Sequence, residues 1–279
     1  MNQPADVRPL ETLQPLELLF ETPGLADFGL PLELAELYGG SLGFLEPRLY
    51  ANFVASVDGV VAIPTETESS QMIAAGSKRD RFVMGLLRAC ADAVLIGAGT
   101  LHASPRGQWT AEHAYPPAAP LYAELRRLRN RPARPTLAVV SGSGRIDPHH
   151  PGLAERALVL TSEQGAARLG DRLPRSATIV PIGSESPIDP VATIEALRAG
   201  GHTLILCEGG PTLFGELTAA GLVDELFLTL SPLLAGRSAT DRRLSLVEGT
   251  EFLPGSGVDC KLLTLRRAGS HTSLTSPSS

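Results

Sequence analysis

Leu87-Arg88-Ala89-Cys90-Ala91-Asp92-Ala93-Val94-Leu95-Ile96-Gly97-Ala98-Gly99-Thr100 is the stretch whose reading decides the fold. Its first part closes an amphipathic run, because Phe82, Val83, Leu86, Leu87 and Cys90 recur on one helical face. Ser77-Lys78-Arg79-Asp80 has the Ser-x-x-Asp form that starts such a helix. Residues 93–96 then form an unbroken apolar run between Asp92 and Gly97, as expected of a strand buried on both faces. A strand of that kind pairs in parallel, with the preceding helix as its crossover.

Working outward, residues 49–57 read as a strand that ends in a tight turn at Asp58-Gly59. Downstream the alternation is sustained. Helices are expected over 121–129, 190–199 and 211–220, and strands over 136–140, 157–160, 178–182, 203–207, 225–230 and 261–266. These runs make one α/β sheet. The first 47 residues carry leucines broken up by Pro4, Pro9, Pro15, Pro23 and Pro31, which predicts an N-terminal extension of short helical turns. Residues 48–268 form the domain proper, and the Ser/Thr-rich stretch 269–279 is expected to be a disordered tail.

Composition limits the function classes. A net charge of −6 with no basic stripe argues against nucleic acid as a partner. No apolar run nears the roughly 18 residues of a membrane span, and no secretory signal is visible, so a cytoplasmic location is expected. Cys90, Cys207 and Cys260 form no CxxC pair and read as reduced, core-packed thiols. The cluster from Arg126 and Arg127 to Arg134 reads as a solvated helix face, and His149 and His150 as surface residues with no third metal ligand nearby. No metal is expected.

In open α/β sheets, ligands gather beyond the carboxyl ends of the strands. Two such junctions are rich in glycine. Gly97-Ala98-Gly99-Thr100 fails as a dinucleotide fingerprint, since His102 stands where a third glycine belongs. Glu208-Gly209-Gly210-Pro211-Thr212 places Pro211 at the first helical position and leaves the amides of Thr212 and Leu213 open to a phosphate. Taken alone, it reads rather as a tight strand-to-helix turn with no ligand, and the carboxylate of Glu208 at the strand end is what shifts the reading toward a site. A third candidate is the loop Ser141-Gly142-Ser143-Gly144-Arg145, able to hold a ribose phosphate or to be a plain polar loop.

Five motifs follow one another along the chain: Ala55-Ser56-Val57-Asp58-Gly59, the 87–100 stretch, Glu208-Gly209-Gly210-Pro211-Thr212-Leu213, Gly221-Leu222-Val223-Asp224-Glu225-Leu226 and Pro232-Leu233-Leu234-Ala235-Gly236. In these, from about Tyr50 to Leu265, the chain resembles the reductase family typified by the C-terminal domain of the bifunctional riboflavin-biosynthesis deaminase-reductase (RibD). The resemblance implies a dihydrofolate-reductase-like three-layer fold, a mostly parallel central sheet flanked by helices, with an antiparallel edge. It also implies NADPH as hydride donor, a homodimer, and reduction of the ribosyl group of 5-amino-6-(5-phosphoribosylamino)uracil.

Carried over by motif, Val54, Gly99, Thr100, Ser141 and the turn from Gly209 through Leu213 would hold NADPH. Ser70, Arg88, Arg106 and Glu208 would face the phosphorylated substrate, with Glu208 and Asp58 as catalytic candidates, although Asp58-Gly59 is equally a hairpin turn. The pattern departs at Leu101-His102-Ala103-Ser104-Pro105, where the family usually carries an acidic pair before proline. The paired deaminase signature, His-x-Glu with a later Pro-Cys-x-x-Cys, is missing, which points to a stand-alone reductase. Two other readings stay open: a dihydrofolate-reductase-like enzyme with another small substrate, and a catalytically silent NADPH-binding protein.

Overall fold

Runs of four or five Val, Leu, Ile or Ala side chains have no polar face to turn toward water, and they form the centre of the sheet. The computed structural model describes residues 13–240, 242–269 and 271–277. The chain opens with β1 (Glu17–Glu21), α1 (Leu32–Tyr38), β2 (Arg48–Ser56), α2 (Ser69–Ile73) and α3 (Lys78–Cys90). It continues through β3 (Ala93–Gly97), α4 (Ala98–Ala103), α5 (Ala111–Ala114), α6 (Ala119–Leu128), β4 (Thr136–Val140), β5 (Ala157–Thr161) and α7 (Glu163–Leu169). The last elements are β6 (Ala177–Pro181), α8 (Pro190–Ala199), β7 (Leu204–Cys207), α9 (Pro211–Ala219), β8 (Glu225–Ser231), β9 (Thr264–Ala268) and β10 (His271–Pro277).

The ten strands form one sheet in the order β1-β9-β10-β8-β2-β7-β3-β4-β5-β6. Every pairing from β8 to β6 is parallel, whereas β10, β9 and β1 add an antiparallel side. This is the expected dihydrofolate-reductase-like layering. Side chains alternate across the strands as the pleat requires. Val94, Ile96, Leu204 and Leu206 join one core with Phe82, Leu86 and Tyr122 of α3 and α6. Leu95, Ile205 and Cys207 join the other with Ile194, Leu197, Phe214 and Leu217 of α8 and α9. Ser77 caps α3 as predicted, its hydroxyl accepting from Asp80 N at 3.2 Å.

Several expectations need correction. The N-terminal extension is part of the fold, since β1 pairs with β9 and Leu34 and Tyr38 of α1 enter the core. The stretch 269–279, expected to be disordered, supplies β10, which lies between β9 and β8. Arg126 is buried, not solvated: its guanidinium donates to Ala89 O at 3.0 Å and Ala91 O at 2.7 Å, satisfying carbonyls at the end of α3. His150 is buried as well, its Nδ1 accepting from Gly152 N and its Nε2 meeting Ser104 O at 2.8 Å. Of the cysteines, Cys90 and Cys207 are buried, with burial pushing both thiols up to about 12, but Cys260 is exposed. Among the described residues no helix is long and apolar enough to cross a membrane.

Candidate active site

The strand order brings the motif-bearing carboxyl ends into a row: Val54 near the end of β2, Glu208 and Gly210 after β7, Thr100 after β3, and Ser141 after β4. Two glycines fix the crossing between β7 and β3. A Cβ on Gly209 would stand 2.3 Å from Ile96 Cα, so only glycine lets the two strand ends lie this close. Gly210 has φ +60°, and a Cβ there would lie 3.1 Å from Thr100 Oγ1. Pro211 then opens α9, whose first turn no side chain caps.

A cavity of about 240 Å³ lies between this edge and the helices on one face of the sheet. Val54, Thr100, Gly210 and Pro211 line its sheet side, and Ser70, Arg81, Met84 and Arg88 its α2–α3 side. Glu208 lines it too, and the segment between α4 and α5 adds Trp109, with His113 following on α5. Seven of the residues proposed from sequence therefore share one cavity: Val54, Ser70, Arg88, Thr100, Glu208, Gly210 and Pro211. Asp58, Gly99, Arg106, Ser141, Gly209, Thr212 and Leu213 lie off its lining.

Arg88 and Glu208, each expected to meet a ligand, meet each other. Arg88 Nη2 donates to Glu208 Oε2 at 2.7 Å and Nε to both carboxylate oxygens, at 3.1 and 2.9 Å, while the two side chains are only 8% and 7% exposed. Arg88 Nη1 donates to the carbonyls of Gln108 and Thr110, at 3.2 and 3.3 Å. All three guanidinium nitrogens thus have acceptors, and the pair fixes both the end of β7 and the segment carrying Trp109. Trp109 is itself wedged: its ring lies 5.9 Å from that of His150, and a Cβ on Gly107 or Gly152 would meet the indole at 2.9 or 3.0 Å.

Asp58, a catalytic candidate by motif, lies off the cavity lining and ties two loops together. Its carboxylate accepts from Ser56 Oγ at 2.6 Å, Ala235 N at 3.0 Å and Gly236 N at 2.8 Å, clasping the 56–60 turn to the loop after β8. The Ser56 hydroxyl foremost, with these amides, holds its carboxyl down at about 2. Arg106 is exposed and carries no hydrogen bond or ion pair among the described residues. Ser141 is buried at the end of β4, its amide donating to Leu160 O at 3.0 Å and its carbonyl accepting from Thr161 Oγ1 at 2.6 Å.

Sequence reasoning passed over Arg81, Trp109 and His113. A signal for Arg81 was available, since positions 81, 84 and 88 are spaced to share one face of α3. Trp109 and His113 stand in no motif. Burial, with the charges of Arg88 and Arg81, holds the His113 imidazole below its ordinary value.

Layering, strand order and a cavity at the carboxyl edge define a dihydrofolate-reductase-like chain. The model of the RibD C-terminal domain matches residues 47–274, and the chain belongs to that family. A relative from Archaeoglobus fulgidus, named 2,5-diamino-6-ribosylamino-4(3H)-pyrimidinone 5′-phosphate reductase, is 25% identical over 83% of this chain and 98% of its own length. One of the same name from Methanothermobacter thermautotrophicus is 28% identical over 74% of this chain and 85% of its own. Among solved structures, a pyrimidine reductase-like protein from Corynebacterium diphtheriae superposes with TM-score 0.65 at 21% identity, covering 90% of this chain and 96% of that one.

Proposed function

We propose that this chain is an NADPH-dependent reductase of riboflavin biosynthesis, reducing the ribosyl group of 5-amino-6-(5-phosphoribosylamino)uracil or of its 2-amino counterpart, the compound in the relatives' names. The observation that carries the reading is the row of strand ends. Val54, Gly210, Thr100 and Ser141 follow one another across β2, β7, β3 and β4, three strand steps or about 14 Å. That span suits an extended dinucleotide.

The bare backbone at Gly210, where a Cβ would crowd Thr100 Oγ1 at 3.1 Å, fits a cofactor lying against the turn. Val54 would then adjoin the nicotinamide, the turn from Gly210 into α9 the pyrophosphate, and Ser141 the adenosine end. Bound NADPH would supply a hydride to C1′ of the ring-opened imine, whose C=N bond becomes the CH2–NH of a ribityl amine as the nitrogen takes up a proton. The protein's own contribution is orientation. Arg88 holds Glu208 as a fixed acceptor for the sugar hydroxyls, Ser70 faces them from α2, and the cavity restricts water around the reacting carbon. The homodimer implied by the family resemblance belongs to the same proposal, tested by mass in solution.

Purified protein mixed with NADPH and either pyrimidine should lose the absorbance of the reduced nicotinamide and yield the ribityl product. Cofactor binding without turnover of either would defeat this reading in favour of a silent NADPH-binding protein. Faster turnover of dihydrofolate than of both pyrimidines would favour the alternative substrate.

A further inference from the structure

Arg81 and Arg88 share a face of α3 and both line the cavity, yet their guanidinium groups are in opposite states. Arg88 is saturated by Glu208 and two carbonyls. Arg81 is tethered by one bond, Nε to Ala114 O at 2.8 Å, and among the described residues Nη1 and Nη2 have no hydrogen bond or ion pair. A guanidinium held at Nε keeps its plane while leaving its outer N–H groups free, an arrangement suited to bidentate recognition of a phosphate. It is half-buried, so its charge is screened less than that of a surface arginine.

The carboxylates on the cavity wall do not cancel this charge. Glu208 is neutralised by Arg88 and Asp80 is buried with an interaction of its own, while Glu68, which keeps its charge, accepts from Gln71 Nε2 at 3.2 Å and makes no ion pair with Arg81 among the described residues. His113 adds a second donor on the same wall. We propose that Arg81, with His113 beside it, seats the phosphate of a phosphorylated substrate, and that Arg88 is a positioning residue for Glu208. The assignment of that phosphate to the substrate rests on the function proposed above. Arg106, exposed and off the lining, is not needed for it.

The test uses the full chain and inorganic phosphate as probe, with glutarate as a carboxylate control, following the His113 imidazole by NMR. In the unaltered protein phosphate should raise the His113 titration midpoint, because an anion at Arg81 offsets the Arg88 and Arg81 charges, which lower it in addition to burial. Arg81→Met should abolish the response and Arg81→Lys retain part of it. A response that survives in Arg81→Met, or one that glutarate evokes equally, overturns the assignment. With the phosphorylated pyrimidine, Arg81→Met should raise KM about 10- to 100-fold and leave kcat within about twofold. With the dephosphorylated pyrimidine, KM should be the same in both proteins. Unchanged KM for the phosphorylated compound in an active enzyme overturns the role of Arg81 and leaves the proposed function standing. An Arg81-dependent phosphate response in a protein that reduces neither pyrimidine sinks the function and leaves the anion site.

Discussion

Glu208 at the carboxyl end of the parallel sheet and Glu225 at its amino end are both buried glutamates facing an arginine, and they are treated very differently. Glu208 receives Arg88 at 2.7 Å in a forked pair. Glu225 has Arg48 Nε no nearer than 3.6 Å, and its Oε2 finds no hydrogen-bond partner among the described residues. Burial foremost pushes the Glu225 carboxyl up to about 7. Elsewhere the amino end is tied by aspartates: Asp224 accepts from Leu49 N at 2.7 Å, and Asp92 from Leu204 N at 2.8 Å. The difference teaches that position in a sheet does not settle the state of a buried carboxylate. Reach and angle of the partner do, and the better pairing lies where the cavity is.

Breaking the good pair should have the largest effect. Arg88→Met leaves Glu208 buried and uncompensated and should cost about 3–5 kcal/mol in urea unfolding, while Arg88→Met with Glu208→Met should recover most of it. A single-variant loss below about 1 kcal/mol would show that the pair behaves as a surface contact. Next comes the crossing that carries Glu208. Gly209→Ala forces a Cβ to within 2.3 Å of Ile96 Cα, and overpacking against backbone should cost about 1–3 kcal/mol or more.

At the amino end the expected change is smaller and of opposite sign. The folded-state value of Glu225 lies above its ordinary 4.5, so the native state holds the proton more tightly and stability falls as pH rises from about 4.5 through about 7. Glu225→Gln should therefore raise the melting temperature at pH 8 and change it little at pH 5; equal effects at both pH values would remove the contrast between the two ends. The smallest effect belongs to Gly99→Ala, since no atom lies within 4 Å of the added Cβ and φ is not positive. In helix α4 it should be neutral or stabilise by up to about 1 kcal/mol, and a marked loss of stability would mean that the glycine is structural after all.

What could be read in the sequence was whatever periodicity and capping encode locally. The buried run of β3, the cap at Ser77 and the Pro211 start of α9 are patterns within a few residues. The pairing of Arg88 with Glu208 spans 120 residues, and motif reading assigned both to a ligand because it cannot see a side-chain partner that distant. Arg126 and His150 were missed for the same reason: each is buried because it satisfies carbonyls or amides supplied by another segment. Strand β1 was hidden by flanking prolines, and β10 by a Ser/Thr composition that suits a disordered tail and a sheet strand alike. Asp58 was legible in its bland form, as a turn residue, but its clasp on Ala235 and Gly236 crosses more than 170 positions.

The position of β10 bears on biosynthesis. It separates β9 from β8, so a nascent polypeptide emerging from the ribosome must wait for residues 271–277 before that flank can zip, and β1 then meets β9 across a sequence separation of 250 residues. Until then β8 presents an unpaired edge. Deleting those seven residues should leave an aggregation-prone chain even though every cavity residue is still present.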